Sequence, residues 1–263
     1  MANDPLSLVF QALLASSLFM LMLWLVQRTQ RNASLADVGW CVALAGVVGW
    51  YAWAASGDPN RRLLVAVMAA IYAGRLGGYL LLNRVLGKRE DARYQALRRD
   101  WGAQEQSRMC LYFQLQALAV AAFSIPFLVV MQNPRPTFSL WELVGWLVWL
   151  VAVSGEALAD WQLAEFRNKS WNGDRVCQAG LWRYSRHPNY FFEWLHWWAY
   201  VVMALGLPAW GLTLIGPVVM GWALLKLTGI PLAEAQALET RGEEYRAYQR
   251  TTSSFIPWFP KSR

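Results

Sequence analysis

The stretch Gly180–Trp194 (GLWRYSRHPNYFFEW) concentrates side chains that could bind a charged ligand. It contains two arginines, a histidine, an asparagine and a glutamate, at Arg183, Arg186, His187, Asn189 and Glu193. Pro188 fixes its own φ and lacks the N–H that a first helical turn leaves unpaired, so a helix is predicted to begin here. The free backbone donors of that turn and the two arginines predict a positively charged site for a phosphate or another anion.

The composition indicates a membrane protein. Hydrophobic residues make up 56% of the 263 residues, charged residues make up only 16%, and 17 residues are tryptophan. This is too apolar for an ordinary soluble domain of this size. The three cysteines (Cys41, Cys110 and Cys177) show no paired spacing and there are only two histidines, so neither a disulfide framework nor a metal centre is expected.

Seven apolar runs are candidates to cross the hydrocarbon core of a bilayer, which takes about 20 helical residues. They are Leu6–Val26, Leu35–Ala55, Leu63–Leu82, Met109–Met131, Leu140–Leu163, Tyr190–Leu205 and Trp210–Leu227. The sixth run is the shortest, and it is expected to begin either deep in the membrane or at its cytoplasmic face. The first run lacks the basic start and the cleavage site of a signal peptide, which favours a retained span.

The basic residues predict an orientation. With seven spans, the lysines and arginines of the connecting segments divide into 19 on one side and 3 on the other. This distribution favours an N-terminus outside and a C-terminal tail in the cytoplasm. The net charge of +7 is mostly this orientation signal, so a nucleic-acid surface is not expected. The polar segments Asn83–Arg108 and Thr228–Arg263 are expected to form cytoplasmic helices or lids. The lack of a linker or repeat predicts one domain, 1–263.

Ionisable side chains inside the predicted spans are costly in lipid, so they are expected to face inward and to serve a function. In the third span, Tyr72, Arg75, Tyr79 and Asn83 fall within about an 80° sector and form one polar stripe. A helix-packing face softened by nearby glycines is the alternative interpretation. Arg75 favours a ligand or an ion-pair role.

Two further groups of polar residues leave alternatives open. In the fifth span, Glu156, Asp160 and Arg167 share one face, which is either an internal ion-pair ladder or the wall of a ligand cavity. Asp37 lies just inside the second span, where an aspartate suits the first turn of a helix. A desolvated Asp37 would instead stay protonated and donate a hydrogen bond to a carbonyl.

Four separated blocks, in the same order, resemble the steroid 5-alpha-reductase family in its bacterial branch. The matching residues are Tyr72, Arg75, Tyr79, Asn83 and Arg84; Asp160 and Arg167; Gly180–Tyr184 with Asn189, Tyr190, Glu193 and Trp194; and Glu244, Tyr245, Tyr248 and Phe255–Trp258. The resemblance covers most of the chain from Asp37 on. It implies a seven-helix enzyme of the bacterial inner membrane that uses NADPH to reduce the C4–C5 double bond of a 3-oxo-4-ene steroid or a similar lipid enone.

The resemblance also implies residue roles. Tyr72 resembles the catalytic tyrosine of the family, and Asp37 stands where a catalytic glutamate is expected. The implied NADPH-binding positions, most of them within 140–263, are Arg75, Tyr79, Asn83, Asp160, Arg167, Arg183, Tyr184, Arg186, His187, Asn189, Glu193 and Glu234. No metal is implied. The chain departs from the family in having Asp in place of Glu at position 37 and Glu156 where an asparagine is expected.

The expected chemistry suits these residue types. Negative charge develops on the ketone oxygen when a hydride reaches the β-carbon of an enone. A phenol and a neutral carboxylic acid, from Tyr72 and Asp37, would stabilise that charge in a dry pocket. No Gly-x-Gly-x-x-Gly run follows a strand pattern, so NADPH is expected to enter the helix bundle and not a Rossmann domain.

Two other functions fit parts of the sequence. Membrane methyltransferases of the isoprenylcysteine carboxyl type carry a run similar to Gly180–Tyr190 and bind S-adenosylmethionine beside it. The Tyr72–Asn83 stripe and the later Glu193 favour the reductase. A non-catalytic lipid or sterol carrier of the same fold is the third hypothesis. For the reductase, a monomer surrounded by membrane lipid is expected.

Overall fold

The computed structural model describes residues 4–169 and 175–261, and all regular structure in these residues is helical. The helices are α1 (Pro5–Gln30), α2 (Leu35–Ala54), α3 (Pro59–Leu80), α4 (Ala92–Trp101), α5 (Glu105–Met131), α6 (Leu140–Asn168), α7 (Pro188–Met203), α8 (Ile215–Trp222) and α9 (Ile230–Thr251). Two π-helical turns, Leu81–Val85 and Ala223–Leu227, follow α3 and α8. Three short 3₁₀ turns are Gly102–Gln104, Gly180–Arg183 and Trp210–Leu214. The predicted all-α class is confirmed for the described residues.

Six helical segments of the described chain are long and apolar enough to cross a membrane. They are Pro5–Gln30, Leu35–Ala54, Pro59–Val85, Ala92–Met131, Leu140–Asn168 and Trp210–Thr251. The remaining predicted run corresponds to α7, which begins at Pro188 as predicted but has only 16 residues. At 1.5 Å per residue it is about 24 Å long, shorter than the hydrocarbon core. A multi-pass membrane protein is therefore confirmed, while the count of seven spans and the orientation of the termini stay predictions.

The chain divides into two compact units. Unit 1 comprises Met1–Phe138 and Gly206–Thr213, and unit 2 comprises Ser139–Leu205 and Leu214–Arg263. The single domain expected from the sequence stays a prediction. The two polar segments expected to be helical contain α4 in unit 1 and α9 in unit 2, which confirms that expectation for the described residues.

Unit 1 is built around α2, which packs against α1, α3 and α5. The hydroxyl groups of Tyr51 on α2 and Ser124 on α5 are hydrogen-bonded at 3.0 Å in the interior. Arg61, at the start of α3, is fully buried and donates to the carbonyl groups of Asn133 and Thr137 at 2.9 and 3.0 Å. A buried guanidinium requires hydrogen-bond acceptors for its N–H groups, and these two carbonyl groups supply them. The bonds therefore connect the α2–α3 hairpin to the segment that follows α5.

Unit 2 is built around the packing of α6 against α7. A capping box formed by Ser139 and Glu142 starts α6. The two helices approach closely at Gly145, where an added Cβ would lie 2.6 Å from the carbonyl oxygen of Ala199. Gly145 is therefore required by close backbone contact. Helix α9 turns sharply at Gly242, whose φ of 48° is left-handed, and it packs on the π turn after α8.

Candidate functional site

The polar stripe of α3 lies on the side of that helix opposite its contact with α2. A Cβ added at Gly77 would lie 3.1 Å from Cβ of Cys41, so Gly77 marks the face packed on α2. At 100° per residue, Tyr72, Arg75 and Tyr79 lie between about 160° and 220° from Gly77. Tyr72 is fully buried, and Arg75 and Tyr79 are partly buried. The structure therefore groups these three predicted site residues on one face.

Asn83 does not continue the stripe as predicted. It lies in the π-helical turn, which is closed by a bond of 2.9 Å from the Leu86 N–H to the Leu81 carbonyl. The wider turn changes the angular position of the residues in it. Asn83 is exposed, and its amide donates to the Tyr79 carbonyl at 2.8 Å. In this arrangement it serves the backbone at the end of α3.

Asp37, in the first turn of α2, is held by residues from the region of α4. Its Oδ1 accepts a hydrogen bond of 2.7 Å from Tyr94 Oη, and its Oδ2 accepts one of 2.9 Å from Arg93 Nη2. A second guanidinium, from Arg84, lies 3.8 Å from Oδ2. Both oxygens therefore accept hydrogen bonds from other residues of unit 1. Donation of a hydrogen bond by Asp37 to a carbonyl stays a prediction.

The structure does not bring Tyr72 and Asp37 together. On α2, Asp37 lies one turn before Cys41 and therefore beside the end of α3, where Arg84 reaches it. Tyr72 lies five residues before Gly77, in the opposite direction along α3. The two levels differ by about 14 Å at 1.5 Å per residue. A single ketone oxygen held by both residues does not fit this geometry.

The partners of Asp37 were missed in the sequence, although a signal for them was present. Glu90 and Asp91 lie immediately before α4, and Asp91 caps that helix by accepting from the Arg93 N–H at 3.0 Å. Burial acts to raise the pKa of Asp91, but hydrogen bonds from Arg93 and the charges of Arg93 and Arg84 outweigh burial and lower it. An acidic pair followed by Arg93 and Tyr94, just beyond a span, was the pattern that indicated such a cluster.

In unit 2 the predicted residues of α6 and α7 do meet. The Asn189 amide donates to Asp160 Oδ1 at 3.2 Å, and the Asn189 side-chain oxygen accepts from the Tyr190 N–H at 3.0 Å. One turn further along α7, Glu193 is buried and accepts from Trp197 Nε1 at 3.2 Å. These contacts orient a row of polar groups at the start of α7. An ion-pair ladder was one of the two interpretations of the polar face in the fifth span. Asp160, a member of that face, here accepts a hydrogen bond from the Asn189 amide.

Glu234, a predicted site residue in the C-terminal tail, contacts two other predicted site residues. Its Oε1 lies 2.7 Å from Arg186 Nε and 3.3 Å from His187 Nε2. Arg186 Nη1 also donates to the Gln249 carbonyl at 3.2 Å. Most of the donors of Arg186 are therefore used within the protein, in joining α9 to the segment before α7. This cluster connects predicted site residues that are 47 and 48 positions apart.

Two of the predicted cofactor-binding residues in unit 2 are exposed cations, Arg167 and Arg183. Both are exposed, and neither forms an ion pair within residues 4–169 and 175–261. Tyr184 is also exposed, with its ring edge-on to Phe259 at a centroid distance of 6.0 Å. Of the four arginines among the predicted NADPH-binding positions, these two are the exposed ones.

A comparison with models of protein families gives one match, over residues 23–252, to a family described as proteins of unknown function. The chain belongs to this family, DUF1295. No curated protein and no solved structure matches the sequence.

Several predicted cofactor-binding residues of this DUF1295 protein carry groups that can bind phosphate, hydroxyl or amide groups. Exposed guanidinium groups at Arg167 and Arg183 are suited to phosphate oxygens, and the amide of Asn189 with the carboxylate of Asp160 can bond hydroxyl or amide groups. Among the described residues no group of three His, Cys, Asp or Glu side chains is placed to hold a metal ion. The arrangement is therefore one of hydrogen bonds and cations, without protein ligands for a metal in the described part.

Proposed function

We propose that this DUF1295 protein uses NADPH to reduce the C4–C5 double bond of a 3-oxo-4-ene steroid or a similar lipid enone. The observation that carries the proposal is the face of α3 formed by Tyr72, Arg75 and Tyr79. An arginine within a span long enough to cross the membrane is usually turned inward and functional, and here it shares its face with two phenols that can donate hydrogen bonds. The resemblance of this stripe and of the Asn189–Glu193 block to the steroid 5-alpha-reductase family supports the same reaction.

The proposed roles follow from what each residue can donate. NADPH, when bound, supplies a hydride to the β-carbon of the enone. Tyr72 donates a hydrogen bond to the ketone oxygen and so stabilises the negative charge that develops there. Tyr72 is buried, and a hydrogen bond to a charged oxygen is stronger in a buried site than in water. Proton uptake at the α-carbon then completes the reduction.

Binding of the cofactor is assigned mainly to unit 2. Arg167 is proposed to pair with phosphate oxygens, and Asn189, Asp160 and Glu193 are proposed to bond polar groups of the nucleotide. Arg186, His187 and Glu234 are proposed to act one step away, since they already bind one another. They hold the segment that carries Asn189.

Asp37 is proposed to have a positioning role. Its bonds to Arg93 and Tyr94 join α2 to α4 at the end of α3, the helix that carries Tyr72. This differs from the paired donation by Tyr72 and Asp37 that the resemblance implies, because the two residues are about 14 Å apart along the helices.

The function is tested with the full-length protein in nanodiscs. Binding of NADPH and of S-adenosylmethionine is measured by thermal shift, and oxidation of NADPH is followed at 340 nm with a panel of steroid and non-steroid enones. The proposal expects NADPH binding, enone-dependent oxidation and a saturated product by mass spectrometry. Binding of S-adenosylmethionine but not of NADPH would instead indicate a methyltransferase. Binding of an enone without turnover would indicate a carrier.

A further inference from the structure

The last described segment, Phe255–Lys261, forms no helix, yet its backbone path is fixed within unit 2. The Trp258 N–H donates to the Tyr184 carbonyl at 2.9 Å, and the Lys261 N–H donates to the Thr251 carbonyl at 2.9 Å. These bonds tie the segment at two points to the 3₁₀ turn region and to the end of α9. The positions of its side chains are therefore set by the fold.

The side chains of this segment face two ways. Phe255 is buried in a cluster with Leu224 and Ile230, so the segment already contributes to the core of unit 2. The outward side chains are exposed by 57, 70 and 76%, at Ile256, Trp258 and Phe259. Three large apolar groups close together on a fixed backbone form a surface that water solvates poorly. Aromatic side chains of this kind are typical of the interface between a bilayer and water.

A cavity of about 420 Å³ adjoins this surface and carries positive charge. Its lining residues are Gln178, Arg183, Thr251, Thr252, Pro260 and Lys261. Among the described residues, the lining includes two cations, two hydroxyl groups and an amide, and no carboxylate. This set of groups suits the oxygens of a phosphate. Pro260 and Lys261 directly follow Phe259 in the chain, so the cavity is continuous with the apolar surface.

The combination indicates which kind of anion is bound. A soluble phosphate would need the cavity alone and would leave the exposed surfaces of Ile256, Trp258 and Phe259 in water. An anionic phospholipid has both parts, since its phosphate carries charge and its acyl chains are apolar. We propose that the Arg183–Lys261 cavity binds the phosphate of an anionic phospholipid whose acyl chains lie against Ile256, Trp258 and Phe259.

The proposal is tested by native mass spectrometry of the full-length protein in detergent, titrated with phosphatidylglycerol and with phosphatidylcholine. One phosphatidylglycerol is expected to bind more tightly than phosphatidylcholine. Lys261→Gln is expected to weaken that binding about fivefold, the effect of one cation near an anionic headgroup. The matched control is Lys88→Gln, which removes an exposed cation from unit 1 and is expected to leave the binding unchanged. Equal effects of the two variants would overturn the proposal.

Two further measurements separate a lipid from a soluble anion. The double variant Trp258→Ser, Phe259→Ser keeps both cations and is expected to weaken the binding of phosphatidylglycerol. The binding of glycerol phosphate, which is the headgroup without acyl chains, is expected to stay unchanged. The melting temperature of each variant in detergent verifies that it is folded. If glycerol phosphate binds as tightly as the lipid, the apolar surface has no part in the site and the proposal fails. It also fails if NADPH displaces the lipid and Lys261→Gln weakens both ligands equally, because the cavity would then be a cofactor site.

Discussion

The hydroxyl group of Tyr94 donates a hydrogen bond to Oδ1 of Asp37 across 2.7 Å, and this bond joins α4 to α2. Tyr94 is itself buried and lies edge-on to Tyr112, at a centroid distance of 5.6 Å. The carboxylate of Asp37 is thus one end of a chain of polar groups that starts at the membrane-spanning hairpin α2–α3 and continues onto α5. The arrangement makes Asp37 a structural link as much as a candidate catalytic residue.

Removal of the Tyr94 hydroxyl tests this link. Tyr94→Phe keeps the ring contact with Tyr112 and deletes one donor to Asp37, which should lower the free energy of unfolding by about 1–2 kcal/mol. The measurement is denaturant unfolding in mixed micelles. Tyr184→Phe, at an exposed tyrosine, serves as control and should change stability by less than about 0.5 kcal/mol. Equal losses in the two variants would contradict the structural role of the bond.

Glu234 should be a stability determinant of unit 2. Glu234→Gln removes the carboxylate charge that contacts both Arg186 and His187. Because all three side chains have little exposure, the free energy of unfolding is expected to fall by about 2–3 kcal/mol. Limited proteolysis within α9 and the melting temperature in detergent report the effect. Glu243→Gln removes an exposed partner of Arg246 and should be nearly neutral. An unaffected α9 in Glu234→Gln would show that this cluster does not hold the helix.

Substitution of Tyr72 should affect the rate of the chemical step and leave NADPH binding nearly unchanged. Tyr72→Phe should reduce kcat for a 3-oxo-4-ene steroid by about 10²–10³, the effect of losing one hydrogen-bond donor to the developing oxyanion. The Kd for NADPH should change by less than about twofold, because the phenol has no part in the proposed nucleotide contacts. Tyr51→Phe, which removes another buried phenol of unit 1, should lower stability and keep kcat. Parallel losses of turnover and of NADPH affinity in Tyr72→Phe would refute the assigned role.

Arg167 should show the opposite pattern. Arg167→Gln is expected to raise the Kd for NADPH about tenfold or more, through loss of a charge-assisted bond to phosphate, with kcat at saturating NADPH nearly unchanged. Lys169→Gln is the matched control, since Lys169 is an exposed cation two residues away that pairs with Glu165 at 3.6 Å. Fluorescence titration with NADPH measures both. An unaltered Kd in Arg167→Gln would exclude the phosphate assignment.

Two glycines should respond oppositely to the same substitution. Gly145→Ala places a Cβ 2.6 Å from the Ala199 carbonyl oxygen and should cost about 1–3 kcal/mol by forcing α6 from α7. Gly49→Ala, in α2, meets nothing within 4 Å and should be neutral or stabilising by about 0.5–1 kcal/mol. Unfolding curves of the two variants give the comparison. A tolerated Gly145→Ala would mean that α6 and α7 are not in close backbone contact.

Much of the fold followed from patterns that lie within a few residues of each other. The apolar runs predicted the helices, Pro188 predicted the start of α7, and the polar runs predicted α4 and α9. The face shared by Tyr72, Arg75 and Tyr79 followed from a helical period alone. Each of these depends on local geometry, which repeats at 100° and 1.5 Å per residue and can therefore be computed from sequence positions.

The partners of the candidate site residues were decided only by tertiary structure. Asp37 binds Arg93 and Tyr94, which are 56 and 57 positions away, and Arg186 binds Glu234, which is 48 positions away. These contacts join segments that are far apart in the sequence and whose relative positions arise from side-chain packing. The sequence by itself thus determined that these residues are polar groups beside membrane-spanning helices. Only the packing decided that Asp37 is held by Arg93 and Tyr94 at one end of α3, because hydrogen bonds depend on distances that no helical period contains.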